Sequence, residues 1–389
     1  MTKKFGVASV DSIEDAVQEA FIKAMRVWGF KGMPDNPTAW LYRVANNTMI
    51  DGYRRQKKWQ QKELPSEVKI ETQTDEFATE AEIVDGQLKL IFACCDPVLS
   101  EEQQLILSLK LMGRFSNREL AEALLKKEEA VAKSFTRAKR KFRDEVALIR
   151  FPVEMGLQTR LFVVLRVIYL LFTEGYATTT GTQAIKRDIC YEALRLALLL
   201  RENTYCQHAN LEALIALMCF HASRFEARLD KDGFLVSLEH HDRTKYDQRL
   251  ITIGKYHLEL ASTKGQLPSA YHLEAAVSHC HSSATQFTDT KWNDILRLYD
   301  LHLQQLFSPM VALNRIVALT KVKGAEIALR ELYLLSQKND FSNSALFFAI
   351  EADLLGELQD HRYGAVLEKA ISLTRNELVK VHLIRKRRV

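Results

Sequence analysis

The chain has little glycine (15) and less proline (7) in 389 residues. That scarcity of turn formers argues against a fold of many short strands. Period-two alternation of apolar residues is rare as well, so the expected fold class is all-α. Six cysteines, with Cys94 and Cys95 adjacent, make no disulfide framework, and reduced thiols are expected. No apolar run of signal-peptide type opens the chain. The most apolar stretch, LFVVLRVIYLLF at 161–172, is about half the length of a membrane span and carries Arg166. A buried helix and a cytoplasmic protein are expected. Glycine-rich phosphate loops and nucleophile elbows are missing. All eleven histidines follow residue 200. The groups Cys219–His221, His240–His241 and His279–Cys280–His281 lack the paired spacing of a structural zinc site. No catalytic residue, metal or cofactor is expected.

What is present is helical amphipathicity with unevenly placed charge. The net charge is only +5, so its distribution carries the information. Residues 11–28 form a first helix, with Ser12 and Asp15 placed as a capping box. Its expected buried stripe is Ile13, Ala16, Val17, Ala20, Phe21, Ala24 and Trp28. Asn36 caps a second helix that has Pro37 at its first position, where the missing N–H costs nothing. Trp40, Leu41, Val44, Ala45, Ile50 and Tyr53 are its apolar set, while Arg43, Asn46 and Asn47 take other faces. Arg54, Arg55, Lys57 and Lys58 crowd its end between Tyr53 and Trp59. One or two such cations suit the helix dipole. Four of them beside aromatic rings suit nucleic acid.

Residues 62–85 hold eight acids against two lysines, a net of −6, and read as an extended linker. The segment 86–148 has the layout of a helix-turn-helix. Ser116 and Glu119 form a capping box, a turn covers Lys126–Glu129, and Val131, Phe135, Ala138 and Phe142 face inward. Between 114 and 143 ten cations stand against four acids, net +6. Cys94–Cys95 is expected to open an apolar helix in a structural role. From 149 onward nearly every segment has helical periodicity. SPMVALNRIVAL and NSALFFAIEADL begin two similar segments in which Ala318 and Ala352 correspond, 34 residues apart. That period points to tetratricopeptide-like hairpins, whose concave faces bind peptides or proteins. The tail LIRKRRV reads as a solubilising end.

Two basic helical units split by an acidic tether suggest a two-point grip on DNA, and the motifs sharpen this. SIEDAVQEAFIKAMRVW resembles region 2 of bacterial RNA polymerase sigma factors of the extracytoplasmic-function type. WLYRVANNTMIDGYRRQKK resembles the part of that region which melts and reads the −10 element, and ELAEALLKKEEAVAKSFTRAKRKF resembles the −35-reading region 4. ACCDPVLSEEQ, VIYLLFTEGY, LEALIALM, DRTKYD and SPMVALNRIVAL resemble a subgroup with a long helical C-terminal extension.

The resemblance implies a non-catalytic subunit with region 2 at 1–61, a linker at 62–85, region 4 at 86–148 and a regulatory extension at 149–389. It implies core RNA polymerase as partner, through the β′ clamp helices and the β flap, with Asp15, Gln18 and Glu19 on the clamp. It places Arg43, Asn46, Asn47, Asp51, Arg54, Arg55, Lys57 and Lys58 along the −10 strand. Arg118, Lys133, Ser134, Arg137, Lys139 and Arg140 fall on −35 DNA. The linker would thread toward the active centre, its charge mimicking nascent RNA. Relatives carry a further helix ahead of residue 10, so a shortened region 2 is expected. They also often carry arginine at the positions of Asn46 and Ser134. Two other readings compete: a standalone DNA-binding regulator with a helical sensor domain, and an enzyme housed in the C-terminal part.

Overall fold

A computed structural model describes residues 10–31, 33–59, 80–113, 115–124, 126–146, 154–177, 185–263 and 267–386. The described residues are helical, linked by short turns, with a single isolated bridge between Leu229 and Leu235. In chain order the helices are α1 (Val10–Lys31), α2 (Pro37–Trp59), α3 (Glu80–Cys94), α4 (Glu101–Gly113), α5 (Asn117–Ala123) and α6 (Glu128–Glu145). They continue with α7 (Glu154–Tyr176), α8 (Arg187–Glu202), α9 (Ala209–Ala222), α10 (Gln248–Thr263), α11 (Ala270–Ser283) and α12 (Trp292–Gln305). The last five are α13 (Pro309–Lys323), α14 (Ala325–Lys338), α15 (Ala345–Glu357), α16 (Tyr363–Leu373) and α17 (Glu377–Lys386). Two compact units result: residues 1–108 with 132–160, and residues 109–131 with 161–389.

In the first unit α1 packs along α2 through Ala16, Ala20, Ala45 and Met49. Alanines at 16, 20 and 24, four apart, make a smooth strip that lets the backbones approach closely. Phe21 departs from the expected stripe and is 45% exposed, because it lies about 100° round the helix from Ala20. Trp28 and Trp40 close one end edge-to-face, 5.3 Å apart. Helix α1 starts at Val10, so Ser12 lies inside it and caps nothing. Asn36 does cap α2, its Oδ1 accepting from the Ala39 amide at 3.0 Å.

Of the expected acidic linker, residues 62–79 lie outside the described residues. Residues 80–85 already belong to α3. Cys94 and Cys95 end α3 instead of opening a helix. Both are buried, and burial pushes the Cys95 thiol up to about 12, so neither is poised as a thiolate. The rest of ACCDPVLSEEQ builds a turn. Asp96 accepts from the Val98 amide at 3.0 Å and pairs with Arg160 at 2.6 Å, while Ser100 and Gln103 cap α4 reciprocally.

The second unit is centred on α9, which is buried along nearly its whole length and packs on α10 and α11. Helices α13–α14 and α15–α16 form two successive antiparallel pairs with Ala318 and Ala352 in their shared core. Gly324, at φ 84, joins α13 to α14 in one residue, a conformation that favours glycine. Gly175 serves closeness instead: a Cβ there would stand 2.8 Å from Cys190 Sγ and 3.0 Å from the Lys186 carbonyl. Helix α7 has one window, Gly156–Tyr176, long and apolar enough for a membrane span by composition. Leu161, Val164, Leu165, Val167, Ile168 and Phe172 are nevertheless buried against protein, as expected for a core helix.

Candidate nucleic-acid interface

On α1, Asp15, Gln18 and Glu19 are all exposed, on the side away from the alanine strip. Glu19 pairs with Lys23 at 3.2 Å, one turn on. The same face continues with Ile22 and Met25, which are 45% and 72% exposed. Sequence reasoning missed these two. Their spacing of four and seven from Gln18, which puts them on its helix face, was the available signal, since grouped exposed apolar residues next to polar ones mark contact surfaces.

On α2, Arg43, Asn47 and Asp51 are exposed and four residues apart, so they form one line along the helix opposite Ala45 and Met49. Asn46 is half-buried, and its Oδ1 is shut off from solvent without a hydrogen-bond partner. Arg54, Arg55, Lys57 and Lys58 fall on the last turns of the same helix; their side chains lie outside the described ones.

The helix-turn-helix segment forms as its capping residues dictate. The Ser116 amide donates to Glu119 Oε2 at 2.7 Å, and the Glu119 amide donates to Ser116 Oγ at 3.2 Å. A tight turn follows, with the Lys126 amide bonded to the Ala121 carbonyl at 2.7 Å. Helix α6 begins at Glu128, where Glu128 and Glu129 favour the N-terminal dipole. Lys133, Arg137 and Arg140 lie exposed at spacings of four and three, one cationic stripe along α6. Arg118 on α5 and Lys126 and Lys127 in the turn are exposed too. Lys139 is half-buried with its ammonium 6.0 Å from the Phe135 ring centre; burial, then the nearby Arg143, lowers its pKa.

Ser134 is the exception. It is 5% exposed and takes an inward position with Val131, Ala138 and Phe142, while Phe135 is only half-buried. The helix thus presents position 134, and not 135, to its packed side, which removes Ser134 from the surface available to DNA. Helical period alone cannot separate two adjacent residues at the edge of a buried stripe.

One further contact has no local sequence signal. Glu119 Oε1 accepts from Lys186 Nζ at 2.8 Å, 67 residues away, so the cap of α5 is tied to the entrance of α8. Burial pushes the Glu119 carboxyl up, but Lys186 and the Ser116 amide outweigh that and hold it below its ordinary range.

Comparison with known proteins bears on this geometry. The sigma-70 region 2 family matches residues 2–59, which contain α1 and α2, and a family of unknown function, DUF6596, matches residues 160–262, from the end of Arg160 through most of α10. An uncharacterized protein of Rhizobium meliloti (strain 1021) is 32% identical over 375 residues, covering 95% of this chain and 87% of its own length. No solved structure matches. Region 2 is a non-catalytic module of transcription initiation that works with core RNA polymerase and promoter DNA. With region 2 on the first two helices, an all-helical fold and a relative that matches it nearly end to end, the chain belongs to the RNA polymerase sigma factors that join region 2 to a long helical extension containing DUF6596.

Proposed function

We propose that this chain is an extracytoplasmic-function sigma factor that joins core RNA polymerase, opens promoters, and is controlled by its own C-terminal extension. The observation that carries the reading is the match of region 2 to residues 2–59, laid over two helices whose exposed residues fall in separate lines. The face of α1 holding Asp15, Gln18 and Glu19, extended by Ile22 and Met25, suits a basic coiled coil such as the β′ clamp helices. The line of Arg43, Asn47 and Asp51 on α2 suits the −10 strand: amide and carboxylate groups bond extruded base edges, and arginine holds phosphate. The four cations that end α2 continue that track in sequence.

Extruding a base costs a few kcal/mol, which argues that melting needs the core enzyme as well. The stripe of Lys133, Arg137 and Arg140, with Arg118 beside it in sequence order, suits phosphates flanking a −35 major groove next to the β flap. The paired helices α13–α14 and α15–α16 support a tetratricopeptide-like reading of the extension. The workplace of such a protein is the cytoplasm, where core polymerase resides.

The test is run-off transcription with reconstituted core enzyme on genomic promoter fragments. The full-length protein should start transcripts that core alone does not. Asp15→Lys should abolish them while leaving the helical content of the purified protein unchanged. A protein that binds promoter duplex but never associates with core enzyme would turn the reading into that of a standalone regulator.

A further inference from the structure

The second unit contains a concentration of positive charge that region 2 and the helix-turn-helix do not use. Arg224 follows α9 and is only 5% exposed. Its Nη2 lies 2.6 Å from His221 Nδ1 and 3.3 Å from Ser278 Oγ, and its buried Nε has no partner. Arg228, four residues on, stacks on the Tyr176 ring with 3.8 Å between guanidinium and ring centre and donates to the Tyr176 carbonyl. Arg243 donates to the carbonyls of His281 at 2.7 Å and Ala284 at 2.8 Å. Around these three guanidinium groups stand His221, His241 and His281. His241 Nδ1 is 3.1 Å from the Tyr246 hydroxyl, and His281 Nδ1 is buried without a partner.

The charge does not balance locally among the described residues. Among the described residues no carboxylate forms an ion pair with Arg224, Arg228 or Arg243. Asp289 lies within electrostatic reach of Arg243 but accepts from Thr285 Oγ1 at 2.6 Å and the Gln286 amide at 3.1 Å. Helix C-terminal carbonyls of α7 and of the α11 end partly offset Arg228 and Arg243. An uncompensated buried cation costs several kcal/mol, so such groups are normally paired. The histidines register the same field: burial first, then the arginines, push His241 down to about 4 and His281 down to about 3. They are neutral near pH 7 and offer N–H donors without adding to the repulsion.

We propose that Arg224, Arg228 and Arg243, with His221, His241 and His281 around them, form a binding site for a phosphoryl dianion. Three planar guanidinium forks match a tetrahedral group with several acceptor oxygens and two negative charges better than a single carboxylate. Arg228, His241 and Arg243 are half-buried and not sealed, which leaves an approach for a small anion from solvent. The phosphoryl group could be carried by a free small molecule or by a phosphorylated side chain of a partner. The assignment stands on this unit alone and holds whether or not the extension controls transcription.

The experiment is calorimetric titration of the full-length protein with inorganic phosphate near neutral pH, at constant ionic strength set by chloride, alongside acetate and O-phosphoserine. One site is expected for phosphate. Arg228→Gln removes a half-exposed member and should weaken binding by about 10-fold, the loss of one charge-assisted contact. Arg228→Lys keeps the charge, loses the fork, and should fall between. If Arg224→Gln fails to fold, the Arg228 pair still decides the matter. Phosphoserine much tighter than phosphate assigns the site to a phosphorylated partner, and phosphate at least as tight as phosphoserine assigns it to a free ligand. No phosphate heat above the chloride control, acetate equal to phosphate, or Arg228→Gln binding as wild type would each overturn the proposal.

Discussion

Glu274 on α11 sits in an apolar, tyrosine-lined setting, and Tyr169 donates to its Oε2 at 2.9 Å. Burial pushes the carboxyl up from 4.5 to about 7, more than the Tyr169 hydrogen bond lowers it. The sign follows from linkage. Below about pH 4.5 both folded and unfolded chains hold the proton, and the residue contributes nothing to pH dependence. Between 4.5 and about 7 the unfolded chain releases it and the folded chain keeps it, so stability falls as pH rises. Above the folded pKa the full penalty applies, on the order of 3 kcal/mol at 1.36 kcal/mol per pKa unit. Glu274→Gln keeps an acceptor for Tyr169 and cannot ionise. It should therefore track the wild type near pH 4.5 and exceed it by roughly 3 kcal/mol near pH 8. Urea unfolding of the full-length protein across that range measures the difference. A constant offset between wild type and variant would mean that Glu274 titrates normally, and the account of its burial would be wrong.

Other perturbations address other parts of the molecule. Lys186→Ala should leave the Glu119 carboxyl without its ammonium and lower stability by about 1–2 kcal/mol, read by thermal unfolding. No change would make the pair incidental. Glu212 is 2% exposed and accepts from Arg201 at 3.0 Å and contacts His257 at 2.6 Å, so Glu212→Ala should cost about 3–5 kcal/mol. A loss under about 1 kcal/mol would show that solvent reaches the pair. Arg137→Ala should lower the salt slope of −35 duplex binding by about one while leaving the fold intact, and an unchanged slope would remove that contact. Gln18→Ala and Met25→Ala should each weaken capture of core polymerase without changing duplex binding, which a pull-down beside a mobility-shift assay resolves.

Much of the helical framework is local chemistry, and that part can be read from the chain. Asn36 before Pro37, Ser116 before Glu119 and Ser308 before Pro309 each sit where an amide needs an acceptor, and each supplies it. The similarity around Ala318 and Ala352 also transfers directly, because small residues at equivalent core positions repeat with the hairpin. Apart from the helix ends at Ser12 and at Cys94–Cys95, the misses fall in two kinds. Ser134 and Phe135, and Ala20 and Phe21, are neighbours at a stripe boundary, where period alone leaves the inward residue open. Lys186 with Glu119, Tyr169 with Glu274 and the arginines around His221 are long-range encounters. Nothing local marks them, and DRTKYD illustrates the point. As a string it resembles a subgroup pattern, but in space Arg243 holds the end of α11 and Asp247 accepts from the Arg249 amide to start α10.

The polypeptide passes from one compact unit to the other three times, after residues 108, 131 and 160. A stop codon placed at 148, where the motifs end, would therefore strand residues 109–131 without the remainder of the body they fold with. Any phenotype of that truncation would mix loss of control with loss of a folding partner. Point substitutions, or a fragment rejoined by co-expression, are the perturbations that this threading permits to be interpreted.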